Sequence, residues 1–160
     1  MAGSVAKVRL SRDPNEVRRL LRVGWALLAL LVVQNLLGLA LNLYVALPSS
    51  PSFLVVFTSV PLLTAHIALA FLLVAVAAYA VVGARRAGLR DIAWLELLEL
   101  VFLIVAVQEG FAFTFTQNNL FSFGMEVGFL GAVVTQAVVL YRLALAPRAT
   151  APQPGSQAAG

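Results

Sequence analysis

The chain has 160 residues, of which 61% are hydrophobic and 11% charged, and its mean hydropathy is +0.95. Soluble domains carry about a quarter of their residues as charged groups, so this composition argues against a water-soluble globule. The net charge of +4 comes from basic residues beside apolar runs, which points to lipid headgroups and not nucleic acid as the anionic partner. The absence of cysteine removes disulfides, thiolate metal sites and CxxC redox chemistry.

The pattern predicts an all-α integral membrane protein, a four-transmembrane-helix bundle with N-in, C-in topology. A basic N-terminus (1–12) precedes a transmembrane domain (13–145) with spans at about 23–47, 61–83, 92–113 and 121–145, and a Pro/Ala/Gly/Gln-rich tail (146–160) is expected to be disordered. Basic residues ahead of an apolar run resemble a signal peptide, but Val23 to Leu47 is too long for an h-region and reads as a retained span. Asp13 suits a helix N-cap, Pro14 the first helical position and Glu16 a capping box. Pro48-Ser49-Ser50-Pro51-Ser52 breaks the first span, Phe53 to Phe57 is expected at the outer surface, and Pro61 falls in the first turn of the second span.

Orientation follows from charge. Lys7, Arg9, Arg12, Arg18, Arg19 and Arg22 precede the first span, Arg85, Arg86 and Arg90 lie between the second and third, and Arg142 and Arg148 follow the fourth. The other two connections hold no basic residue, so the positive-inside rule puts the termini and the middle loop in the cytoplasm. A prokaryotic plasma membrane is the expected location. Trp25, Trp94 and Tyr141 suit the inner aromatic belt and Tyr44 the outer one.

Polar residues inside the spans carry what functional signal there is. Helical spacing groups Leu31, Asn35, Gly38 and Asn42 on one stripe of the first span. The same spacing groups His66, Ala70, Leu73, Ala77, Ala80 and Ala84 in the second span, and Glu99, Ala106, Glu109, Gly110 and Phe113 in the third. Asn42, His66, Glu109 and Glu126 all fall within ~6–8 Å of the outer helix ends, at 1.5 Å per residue, and make up a candidate outer polar site. The plainer reading is a set of wetted interfacial groups or mutual hydrogen-bond partners. Haem ligation by His66 with Met125, or divalent-metal binding by the His/Glu set, is a further reading, although no HxxxH or ExxH spacing supports a metal.

Toward the inner side, Glu96 and Glu99 are expected to form interhelical ion pairs with Arg22 and Arg142. Gly38, together with Gly124, Gly128 and Gly131, supplies helix-packing faces, the last three on one side of the fourth span. Glu126, Leu130, Val133 and Ala137 occupy its other side, so one face is expected to pack in the bundle and the other against a second chain.

The segments Gln34-Asn35-Leu36-Leu37-Gly38, Asn42-Leu43-Tyr44-Val45 and Pro48, with His66, Asn118-Asn119, Ser122 and Met125, resemble small four-span prokaryotic membrane proteins of no assigned activity. The resemblance implies a four-helix fold and an outward-facing polar set, and no reaction. No phosphate loop, nucleophile elbow or zinc-protease helix occurs. The leading reading is a non-catalytic accessory subunit or self-assembling scaffold, partnered by the bilayer and by copies of itself or other membrane subunits. A small oligomeric channel or carrier, and a haem- or metal-binding electron carrier, are the alternatives. In this cysteine-free chain, Ser50→Cys and Asn118→Cys are expected to label with a membrane-impermeant thiol reagent in intact cells and Arg86→Cys to be protected; labelling of Arg86→Cys alone inverts the topology.

Overall fold

A computed structural model of the chain describes residues 14–45, 58 and 60–145. Asp13, the Pro48–Ser52 break, the 53–57 segment, the 1–12 arm and the 146–160 tail lie outside the described residues. The described chain is all helical: α1 (Pro14–Tyr44), α2 (Pro61–Arg86), α3 (Arg90–Thr116) and α4 (Asn119–Ala144). All four are long and apolar enough to cross a membrane.

Local chemistry sets the helix ends. Pro14 and Pro61 occupy first helical positions, where a missing N–H costs no intrahelical bond. The α2–α3 turn passes through Gly88 at φ 69°, a left-handed conformation that costs glycine nothing. The α3–α4 turn is tighter than its uncharged sequence suggests. Gln117 adopts φ 53° as the left-handed cap of α3, and Asn118 caps α4 by accepting from the Leu120 N–H at 3.0 Å. α2 and α3 run three residues past the expected ends of their spans, to these stop signals, whereas α1 ends at Tyr44, short of the expected 47.

Neighbouring helices pack in a ring, α1 on α2, α2 on α3, α3 on α4 and α4 on α1. The starts of α1 and α3 and the ends of α2 and α4 carry Arg18, Arg19, Arg22, Arg85, Arg86, Arg90 and Arg142, and these termini form the basic end of the bundle. The Gln117–Asn118 turn marks the opposite end.

An apolar helix surrounded by lipid shows no hydrophobic side, so the inward face has to be read from burial. In α1 it is Leu20, Gly24, Leu27, Leu31 and Gln34, a 4-3-4-3 spacing. Ile92, Glu96, Glu99 and Leu103 of α3, Leu73, Ala77, Ala80 and Ala84 of α2, and Gly128, Ala132, Thr135 and Val139 of α4 follow related spacings. Seven residues per two turns is the repeat of left-handed bundle packing. The α2 stripe agrees with the sequence expectation. The α1 stripe differs from it in phase: after Leu31 burial continues three residues on, at Gln34, and leaves Asn35 and Asn42 exposed.

Three apolar layers result. At the basic end, Leu20, Ala84, Leu89, Ile92, Ala93, Val139 and Leu143 draw on all four helices. So does the middle layer of Leu27, Leu31, Leu73, Ala77, Ala80, Leu103 and Ala132. The layer toward the opposite end, Leu63 and Ile67 with Leu41, Val60 and Phe111, has no member from α4.

The reason lies in the unequal pairings of α4, which are most extensive with α3 and least with α1. A Cβ added at Gly128 would lie 2.9 Å from the Phe102 carbonyl oxygen and 3.0 Å from the Ala106 nitrogen, both backbone atoms of α3. One at Gly131 would sit 2.6 Å from the Phe102 ring. The glycine face of α4 is therefore spent inside the chain, against α3. Gly128→Ala must push two backbones apart and is expected to cost about 1–3 kcal/mol in reversible unfolding in mixed micelles. Ala137→Val, on the exposed side of α4, is the control, expected within about 0.5 kcal/mol of the parent; equal losses would show that the α3–α4 approach is not close.

Candidate functional site

Where α4 takes no part in the outermost layer, the bundle holds a partly open cavity of about 590 Å³ lined from all four helices. Leu73 and Leu103 belong to both its wall and the middle apolar layer, so they close its floor. Phe71, Phe111 and Phe129 give it aromatic sides, the first two with ring centroids 6.1 Å apart and tilted by 48°. Gln34, Asn35, Asn42, His66 and Glu126 supply polar groups.

The polar centre of this wall is an amide–imidazole pair. Gln34 Nε2 lies 3.1 Å from His66 Nε2. With the amide nitrogen donating, Nε2 of the ring accepts, so the neutral imidazole carries its proton on Nδ1. That leaves His66 Nδ1 and Gln34 Oε1 buried without hydrogen-bond partners. If the amide is turned over, Oε1 accepts from the ring and the roles of the two free atoms exchange. Either way the pair holds one unclaimed donor and one unclaimed acceptor, both shielded by the surrounding side chains. Gly38 makes room for the ring, since a Cβ there would stand 3.2 Å from His66 Cε1. Gln34 itself is only 6% exposed.

Among the residues expected to form an outer polar site, Asn42, His66 and Glu126 line this cavity, with Asn42 and Glu126 exposed. Glu109 is not among the lining residues; its carboxylate packs over Gly124, where a Cβ would meet Oε2 at 2.9 Å. The partner the sequence reading missed is Gln34. The 4-3-4-3 continuation from Leu20, Gly24, Leu27 and Leu31 was the signal that would have found it.

The expected inner pairs are not brought together. Glu96 and Glu99 lie on the inward stripe of α3, 1% and 0% exposed, while Arg22 and Arg142 lie exposed on the outer faces of α1 and α4. No ion pair between these residues forms among the described residues; Arg19 instead pairs with Glu16, with Nη2 and Oε2 2.6 Å apart. Helix rotation is the cause, because the seam that buries Ile92 and Leu103 necessarily carries the residues at 96 and 99. The Glu96 and Glu99 carboxyls lie against each other and find no other side-chain partner among the described residues, so a proton on one of them is shared between the two. The polar tie at this level is Gln136, fully buried, whose Nε2 donates to the Gly24 carbonyl at 2.9 Å and joins α4 to α1.

His66 and Met125 both line the cavity, with the Met125 sulfur against Gly110 and His66 Nε2 engaged by Gln34. Among the described residues, no group of three or more His, Cys, Asp or Glu side chains is placed to hold a metal ion. Comparisons with protein-family models, curated proteins and solved structures find no match to the chain.

A double-mutant cycle tests the amide–imidazole contact. Gln34→Leu and His66→Phe each leave one buried polar group alone, and their combined effect on stability in detergent is expected to be non-additive by about 0.5–3 kcal/mol. Additive effects would place the two side chains out of contact.

Proposed function

We propose that the chain is a non-catalytic integral membrane protein that binds a small molecule in this cavity. It sits N-in and C-in in a prokaryotic plasma membrane, with the cavity toward the outer face. The observation that carries the reading is one space of about 590 Å³, shared by all four helices, whose wall holds a nine-tenths-buried amide with an unclaimed oxygen. Small-molecule sites are typically mostly apolar clefts of ~300–1,000 Å³ with a few converging polar groups. The two packed layers between the cavity and the basic end favour binding at one face over a through-pore.

A second reading, an accessory subunit or a self-associating chain, rests on Glu126. It is exposed beside Leu130, itself 62% exposed, and a carboxylate at lipid depth favours a covering partner.

Cysteine scanning and native mass spectrometry test the cavity reading together. Ala70→Cys, on the cavity wall, is expected to react with a small membrane-permeant maleimide, and Ala77→Cys, in the packed middle layer, to resist it. The full-length protein released from detergent is expected to carry a bound small-molecule mass that Ala70→Phe displaces. Protection of Ala70→Cys, together with no bound mass in the parent, would end the reading.

A further inference from the structure

The cavity has a neighbour on the surface of the bundle. A second, external groove of about 500 Å³ runs between α1 and α4, lined by Leu28, Val32, Leu36, Val127, Leu130 and Val133 among others. Asn35, Glu126 and Phe129 line both spaces. The groove therefore adjoins the cavity along α1 and α4, the neighbouring pair with the least extensive contact, and only these three side chains are common to the two. Its lining on α1, from Leu28 to Leu36, extends ~12 Å along the helix, and on α4, from Phe123 to Val133, ~15 Å, at 1.5 Å per residue. It faces the surface that a bilayer covers, and apart from Asn35 and Glu126 its lining is apolar.

Resting on the binding reading above, we infer that the occupant is a neutral quinone- or quinol-type molecule, its ring in the cavity and its single hydrocarbon tail in the α1–α4 groove. The head is neutral because the cavity is lined by no lysine or arginine, while Glu126 stands at the junction and repels a phosphate. It is flat because Phe71, Phe111 and Phe129 line the cavity, and aromatic walls favour a planar ring. It carries carbonyl or hydroxyl oxygens because the amide–imidazole pair leaves one donor and one acceptor free. Both atoms are shielded in the packing shown, so binding requires a turn of the Gln34 or His66 side chain; a quinone oxygen then accepts from the ring N–H, or a quinol hydroxyl donates to the amide oxygen, and both oxidation states fit without any electron transfer by the protein. One groove admits one tail, which disfavours two-chain neutral lipids.

The test uses the full chain in phosphatidylcholine nanodiscs, with ligand expressed as mole fraction in the lipid. A decyl-benzoquinone is expected to bind saturably, and the same head with methyl in place of decyl about tenfold more weakly. Leu36→Trp with Leu130→Trp, which fills the groove, is expected to erase the advantage of the tail and leave the methyl compound unaffected. Gln34→Leu and, independently, His66→Phe are expected to weaken both compounds about five- to tenfold.

Equal affinity for the two compounds in the parent overturns the assignment of the tail to the groove. Displacement of the decyl compound by dioleoylglycerol or dioleoylphosphatidylglycerol at equal mole fraction overturns the head assignment. So does absence of quinone binding while the Ala70→Phe-sensitive bound mass persists, an outcome that leaves the binding reading standing. Absence of both quinone binding and any bound mass overturns the two together.

Discussion

The backbone contact of α4 with α3 at Gly128 is the constraint from which the rest of the architecture follows. Between helices surrounded by lipid, hydrophobic burial supplies little net attraction, because hydrocarbon tails are as apolar as leucine. Close packing and buried polar ties have to hold the bundle. Glycine at 128 lets α4 approach the α3 backbone, and Gly124 and Gly131 extend that approach under Glu109 and Phe102. A helix drawn that tightly to one neighbour cannot follow the other along its whole length. α4 meets α1 through the Gln136–Gly24 bond and the two apolar layers toward the basic end, and takes no part in the layer beyond. The cavity and the groove are the two sides of the gap this leaves.

Polar groups at the two ends of the bundle meet different fates, and the difference is informative. Water cannot complete their hydrogen bonds inside a bilayer, so each one is satisfied internally or carried at a cost. Thr114 and Thr135 donate to carbonyls one turn back, at 2.8 and 2.7 Å. Gln136 uses its amide nitrogen to tie two helices and leaves its oxygen unpaired. Gln34 and His66 satisfy each other only halfway, and they do so on a wall with open space beside it. That combination distinguishes the amide–imidazole pair from Glu96 and Glu99, which are buried on the α3 seam and line neither the cavity nor the groove.

Much of the fold was legible from residue order alone. Apolar runs of the required length, Pro14 and Pro61 at helix starts and the small-residue stripe of α2 needed no tertiary information, because a helix in lipid satisfies its own backbone within one segment. His66, Asn42 and Glu126 were also recognisable as polar exceptions in apolar surroundings, and they share the cavity wall. The tertiary structure decided helix rotation and tilt, which a uniformly apolar sequence leaves nearly unmarked. Both the expected and the observed stripes of α1 keep a four-and-three spacing, but packing set the step after Leu31 at three residues and not four, which put Gln34 inward in place of Asn35 and so chose the partner of His66. The same rotational freedom turned Glu96 and Glu99 inward and Arg22 and Arg142 outward, where pairing by proximity to the same end had suggested contact. Length and composition determine that a helix forms and how far it reaches. Which of its faces looks inward depends on steric fit with three other helices, and only their packing supplies that.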